Sequence, residues 1–106
     1  MSDPVDRAFQ ELRREYLASL PARLDELRSD VAGFRAGMPE AAPSLRTRLH
    51  RLTGSAGSYG FGELSKAARE VEHWLAEHQP AESVSLDVLL DRLIAAAGRA
   101  GKRVSG

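Results

Sequence analysis

The chain has 106 residues and a mass of 11.5 kDa, room for one domain over 1–106 and not for two. The absence of Cys removes disulfides, thiolate metal sites and cysteine nucleophiles, and 15 Lys+Arg against 15 Asp+Glu removes nucleic-acid binding by bulk charge. No apolar run approaches the ~20 residues of a membrane span and the N-terminus lacks the pattern of a signal peptide, so a monomeric cytoplasmic domain without membrane contact is expected.

Every periodic segment has helical spacing, and none alternates as a strand does. Asp3 and Pro4 suit an N-cap and first helical position, with residues 1–3 frayed. Val5, Phe9, Leu12 and Tyr16 then recur at steps of four and three, and Leu20, Leu24, Leu27, Val31, Phe34 and Met38 form a second stripe. Pro21 lies between the two and either starts a new helix or kinks a long one. Gly37, Pro39 and Pro43 punctuate a loop before the stripe Leu45, Leu49, Leu52 and Ala56, which runs into Gly54-Ser55-Ala56-Gly57-Ser58-Tyr59-Gly60-Phe61-Gly62. The next helix carries Leu64, Ala68, Val71 and Leu75 and ends at His78-Gln79-Pro80. Ser83 or Ser85 caps a last helix bearing Leu86, Leu90, Leu93 and Ala97, and a polar tail from about residue 100 is expected to fray. Single apolar stripes joined by short loops predict an all-α, up-and-down antiparallel four-helix bundle with an additional N-terminal helix or helical extension.

One segment breaks the local rules. Gly54, Gly57, Gly60 and Gly62 fall shortly after His50, although glycine costs a helix interior ~1 kcal/mol against Ala. At ~100° per residue, His50 sits roughly 130° from the centre of its helix's apolar stripe, and Gly54 follows about 40° away and one turn on. An exposed imidazole therefore stands beside bare helix, which leaves room for another molecule to approach it. Gly57 and Gly60 equally suit close helix packing or the turn into the next helix.

The run from His50 to Leu64 resembles the phosphoacceptor motif of histidine-containing phosphotransfer (HPt) domains, matching at His50, Leu52, Gly54, Ser55, Tyr59, Gly60, Phe61 and Leu64. The resemblance extends to the phosphotransfer domain of chemotaxis histidine kinases, where a glutamate on the following helix bonds the phosphoacceptor imidazole. Val71-Glu72-His73-Trp74-Leu75 is similar to that stretch, which assigns the orienting role to Glu72. The family usually has Lys three residues after the histidine; this chain has Thr53, an uncharged hydroxyl, so Thr53, Gly54 and Arg46 are the expected phosphoryl environment.

The resemblance implies a phosphoryl carrier rather than a stand-alone kinase, taking phosphate on His50 from a histidine kinase or a response-regulator receiver domain and passing it on. Exposed imidazoles, with an ordinary pKa near ~6.5, are mostly neutral at pH 7 and nucleophilic. No cofactor is expected on this chain, because Mg2+ belongs to the receiver partner in this family. Leu49, Gly57 and Ser58 are the expected partner-docking residues.

Three other readings compete. His73 and Glu77 share a helix face but His78 diverges from them, which leaves a metal site without a third ligand. Arg46, Arg48 and Arg51 could lie on nucleic-acid phosphates, yet Arg46 and Arg48 point to opposite flanks. A bundle that docks or inhibits receivers without accepting phosphate would also suit the Thr53 departure. The initiating Met and the polar tail favour a free-standing protein, whereas Glu72 leans toward the chemotaxis-kinase type.

Overall fold

A computed structural model describes residues 3–77 and 83–105. Four helices follow in chain order: α1 (Pro4–Arg35), α2 (Ala41–Ser58), α3 (Gly62–Glu77) and α4 (Ser83–Ser105). Contacts join α1 to α2, α2 to α3, α3 to α4 and α4 back to α1, with none across the diagonals among the described residues. That ring of neighbours is the up-and-down bundle predicted from the short loops, and no strand occurs among the described residues.

Pro21 neither starts nor ends a helix, because α1 runs through it unbroken. The proline removes one intrahelical hydrogen bond, worth avoiding in isolation. Buried Tyr16 and Leu20 before it and Leu27, Val31 and Phe34 after it hold both halves on the same core. No separate N-terminal helix exists: residues 4–15 are the first third of α1, which overhangs the bundle with Val5, Phe9 and Leu12 substantially exposed. At ~1.5 Å per residue a helix of 32 residues is about 48 Å long, and α1 sets the 52 Å long axis of the molecule. Asp3 caps it as expected, its carboxylate accepting from the Asp6 N–H at 2.9 Å. At the other terminus α4 continues as helix through Ser105, with Ala100 buried, where the sequence suggested a frayed tail. The expected end of α3 at His78 to Pro80 lies outside the described residues.

The stripe positions fill the core: Leu45, Leu49, Leu52 and Ala56 of α2, Leu64, Ala68, Val71 and Leu75 of α3, and Leu86, Leu93 and Ala97 of α4 are all buried. α1 is locked to α2 by Tyr16, whose hydroxyl shares a 2.8 Å hydrogen bond with Ser55 and whose ring packs on Tyr59 and Phe61. Burial raises the Tyr16 pKa above the ordinary value of 10.0, outweighing the Ser55 bond and the Arg23 charge, which act to lower it. A group whose folded pKa is raised contributes stability that is complete below pH 10.0 and drains as pH climbs through the raised value. Alkaline denaturation should therefore steepen above pH 10.0. Tyr16→Phe should flatten that limb while losing about 1 kcal/mol at neutral pH, read by urea melts across the pH range.

Candidate functional site

The unusual glycines sort into different tasks. Gly60 has φ +82° and closes α2, with the Gly60 N–H on the Gly57 carbonyl and the Phe61 N–H on the Ala56 carbonyl. This left-handed cap turns the chain into α3 and seats Phe61 in the core. Gly57 faces α3: a Cβ there would meet the Ser65 Oγ at 3.4 Å. Gly54 is in the helix interior, exposed, and a Cβ there would meet nothing within 4 Å. The bundle gains nothing internal from glycine at position 54, which leaves bare helix on the outer surface.

His50 stands on that surface with its side chain 78% exposed. Its Nδ1 lies 2.9 Å from Glu72 Oε2 across the α2–α3 interface. A carboxylate only accepts, so Nδ1 donates, and the tautomer with a proton on Nδ1 and a lone pair on Nε2 is favoured. Nε2 has no partner among the described residues. The pair is positioned by the core: Leu49 and Leu52 beside His50, and Val71 and Leu75 beside Glu72, bury one flank of each helix and turn the polar flanks toward a common ridge.

The remaining expected residues divide. Thr53 does not project into the solvent beside His50. It is buried, and its hydroxyl reaches back to Glu72 Oε1 at 3.5 Å. Leu49 cannot dock a partner, because it is fully buried and belongs to the core stripe. Gly57 and Ser58 are exposed on the side of α2 that carries His50. Arg46, one turn before His50, is exposed and makes no hydrogen bond or ion pair among the described residues. Arg48 is differently placed: it pairs with Glu26 and, through Nε at 2.7 Å, with Asp30, tying α2 to α1. That engagement takes the central arginine out of any ridge offered to nucleic-acid phosphates. His73 Nε2 and Glu77 Oε1 approach to 3.2 Å, but among the described residues no group of three potential ligands could hold a metal ion.

Sequence reasoning missed Ser65, which is buried and donates from Oγ to the Thr53 carbonyl at 2.8 Å. Its position one turn into α3 gave no signal, since nothing in the sequence shows which carbonyl of α2 its hydroxyl meets.

Fold and site together define a helical bundle that presents an oriented imidazole, with Nε2 open, on an exposed face. A family model described as the Hpt domain matches residues 11–100, and the chain belongs to that family. Membership implies histidine phosphotransfer in phosphorelays by a phosphocarrier module rather than a kinase. No curated relative and no solved structure matches the chain. No helix among the described residues is long and apolar enough to cross a membrane.

Proposed function

We propose that His50 accepts a phosphoryl group at Nε2 from the aspartyl phosphate of a receiver domain, or from a histidine kinase, and returns it to a receiver aspartate. The observation that carries this reading is the Nδ1–Glu72 contact of 2.9 Å on an imidazole whose other nitrogen is unengaged. In the forward step the Nε2 lone pair forms the N–P bond as the bond from phosphorus to the aspartyl oxygen breaks, and the leaving carboxylate keeps the electron pair. The transition state is loose and in-line, so catalysis is mainly positioning and charge stabilisation. Positive charge develops on the imidazole as Nε2 bonds to phosphorus, and the Glu72 carboxylate at Nδ1 offsets it without reorganising. Any Mg2+ sits with the receiver's carboxylates, and no group of this chain is assigned to it.

Arg46 is the cation proposed to meet the phosphoryl oxygens, supported by its exposure and freedom one turn before His50. Gly54, with Gly57 and Ser58, supplies the low ground on which the receiver rests. Gly54→Ala should raise stability by about 0.5–1 kcal/mol, since a Cβ there meets no neighbour. A bulkier Gly54→Leu should keep most of that gain and yet slow transfer about tenfold or more by lifting the receiver off Nε2. Melting temperature and transfer rate moving in opposite directions is the signature to look for.

The test is transfer itself. Purified protein mixed with labelled phospho-receivers and histidine kinases should acquire acid-labile, alkali-stable label. Receiver binding without label from any donor would replace this reading with that of a docking or inhibitory bundle.

A further inference from the structure

Glu72 is held at two points, and both holders come from α2. Oε2 takes the His50 Nδ1 proton at 2.9 Å, and Oε1 lies 3.5 Å from the Thr53 hydroxyl. Residues 50 and 53 are three apart, so their side chains share one flank of the helix and straddle a single carboxylate reaching over from α3. We infer that Thr53 is a positioning residue that fixes the Glu72 carboxylate, and through it the tautomer and ring orientation of His50. This rests on the reading of His50 as the phosphoacceptor.

Three observations support it. Thr53 is buried and Glu72 has only a quarter of its side chain exposed, so little water competes for either end of the bond. The backbone of Thr53 is itself pinned, because its carbonyl accepts the buried Ser65 hydroxyl at 2.8 Å. A helical threonine with no outside partner returns its hydroxyl to a carbonyl three or four residues back. Here the hydroxyl is directed across the interface instead. A carboxylate anchored by a single hydrogen bond can rotate about its last torsion; one anchored at both oxygens presents Oε2 in a fixed direction. A lysine, which the resembled motif carries at this position, has a long flexible stem and a hydrated ammonium, so it holds Oε1 less stiffly than a short buried hydroxyl does. The departure at Thr53 thus exchanges a mobile charge near the phosphoryl group for a stiffer imidazole.

The experiment is long-range 1H–15N NMR of the histidine rings at a pH where imidazole is neutral, on wild type, Thr53→Val, Thr53→Ser and Glu72→Ala, alongside transfer rates. Thr53→Val keeps the buried shape and removes the donor. It should shift the His50 tautomer ratio toward Nε2–H by about threefold to fivefold and slow transfer by a similar factor. Thr53→Ser should hold both near wild type, and His73, paired with Glu77 elsewhere on α3, should not move. A wild-type tautomer ratio in Thr53→Val, while Glu72→Ala shifts it, would overturn the inference. So would an equal shift in Thr53→Ser, which would mark Thr53 as packing only. The ring spectra need no phosphate donor. Failure of the wild type to take label would sink the phosphoacceptor reading and leave the positioning comparison standing.

Discussion

His50→Gln should abolish acid-labile labelling by every donor that labels the wild type, while leaving the bundle folded. The side chain is 78% exposed and its one recorded bond, to Glu72, lies at the surface, so the change in stability should stay within about 0.5 kcal/mol. Glutamine is close in reach and can still donate to Glu72 through its amide, which preserves the local hydrogen bonding. It cannot offer a lone pair of comparable nucleophilicity, since amide nitrogen electrons are delocalised into the carbonyl. The loss should therefore be complete rather than partial, with helical circular dichroism and receiver binding retained. His73, also exposed, is the built-in control. It is bonded to Glu77 through Nε2, the nitrogen that His50 leaves open, and it has no bare glycine one turn further on. Residual label in His50→Gln that disappears only in the double variant with His73→Gln would move the phosphoacceptor and overturn the site described above.

Helical periodicity carried much of this architecture and part of the site. Leu45, Leu49, Leu52 and Ala56 are buried as their spacing requires, and the same geometry set His50 on the open flank, while Glu72 followed from the resembled stretch. Leu49 shows the cost of setting that geometry aside: its own stripe position places it in the core, where no partner reaches it. The misses are tertiary. Pro21 carries a local penalty that packing on both sides of it overrides, so one helix continues where propensity alone allowed two. Gly57 and Gly60 are alike in sequence, and only the 3.4 Å that would separate a Cβ at position 57 from the Ser65 Oγ, and the +82° φ of Gly60, distinguish a packing glycine from a turn glycine. Thr53 lies in projection about 60° from His50, compatible with solvent or with α3. The Ser65 hydroxyl on the Thr53 carbonyl ties α2 to α3 at this level, and Thr53 faces α3. Fold class thus follows from a pattern repeated over many residues, whereas a hydroxyl's partner depends on one interhelical distance.

Glu72→Ala should slow phosphotransfer about tenfold without abolishing it. A hydrogen bond to a charged acceptor contributes about 1.5–3 kcal/mol, roughly a 10- to 150-fold bias in tautomer ratio. Without Glu72 that ratio relaxes to imidazole's own, a fraction of His50 rings still holds its lone pair on Nε2, and the reaction continues through them. The second part of the effect is electrostatic: the carboxylate no longer faces the positive charge that develops on the ring during attack. Because that contribution acts on the cationic phospho-imidazole as well, the phosphorylated Ala variant should also lose its label faster to water or to a receiver. Glu72→Gln separates the two parts. Its amide oxygen can still accept from Nδ1 and hold the tautomer, but it brings no charge, so its rate should fall between wild type and Ala. In Glu72→Ala the buried Thr53 hydroxyl exchanges the carboxylate for a carbonyl of its own helix, so the loss of stability should stay within about 1 kcal/mol. Measured together, single-turnover rates, label half-lives and urea midpoints of these variants would apportion what the carboxylate does to the tautomer, to the charge and to the fold. Equal rates for wild type and Glu72→Ala would show that receiver docking alone orients the imidazole, and that the 2.9 Å contact has no part in transfer.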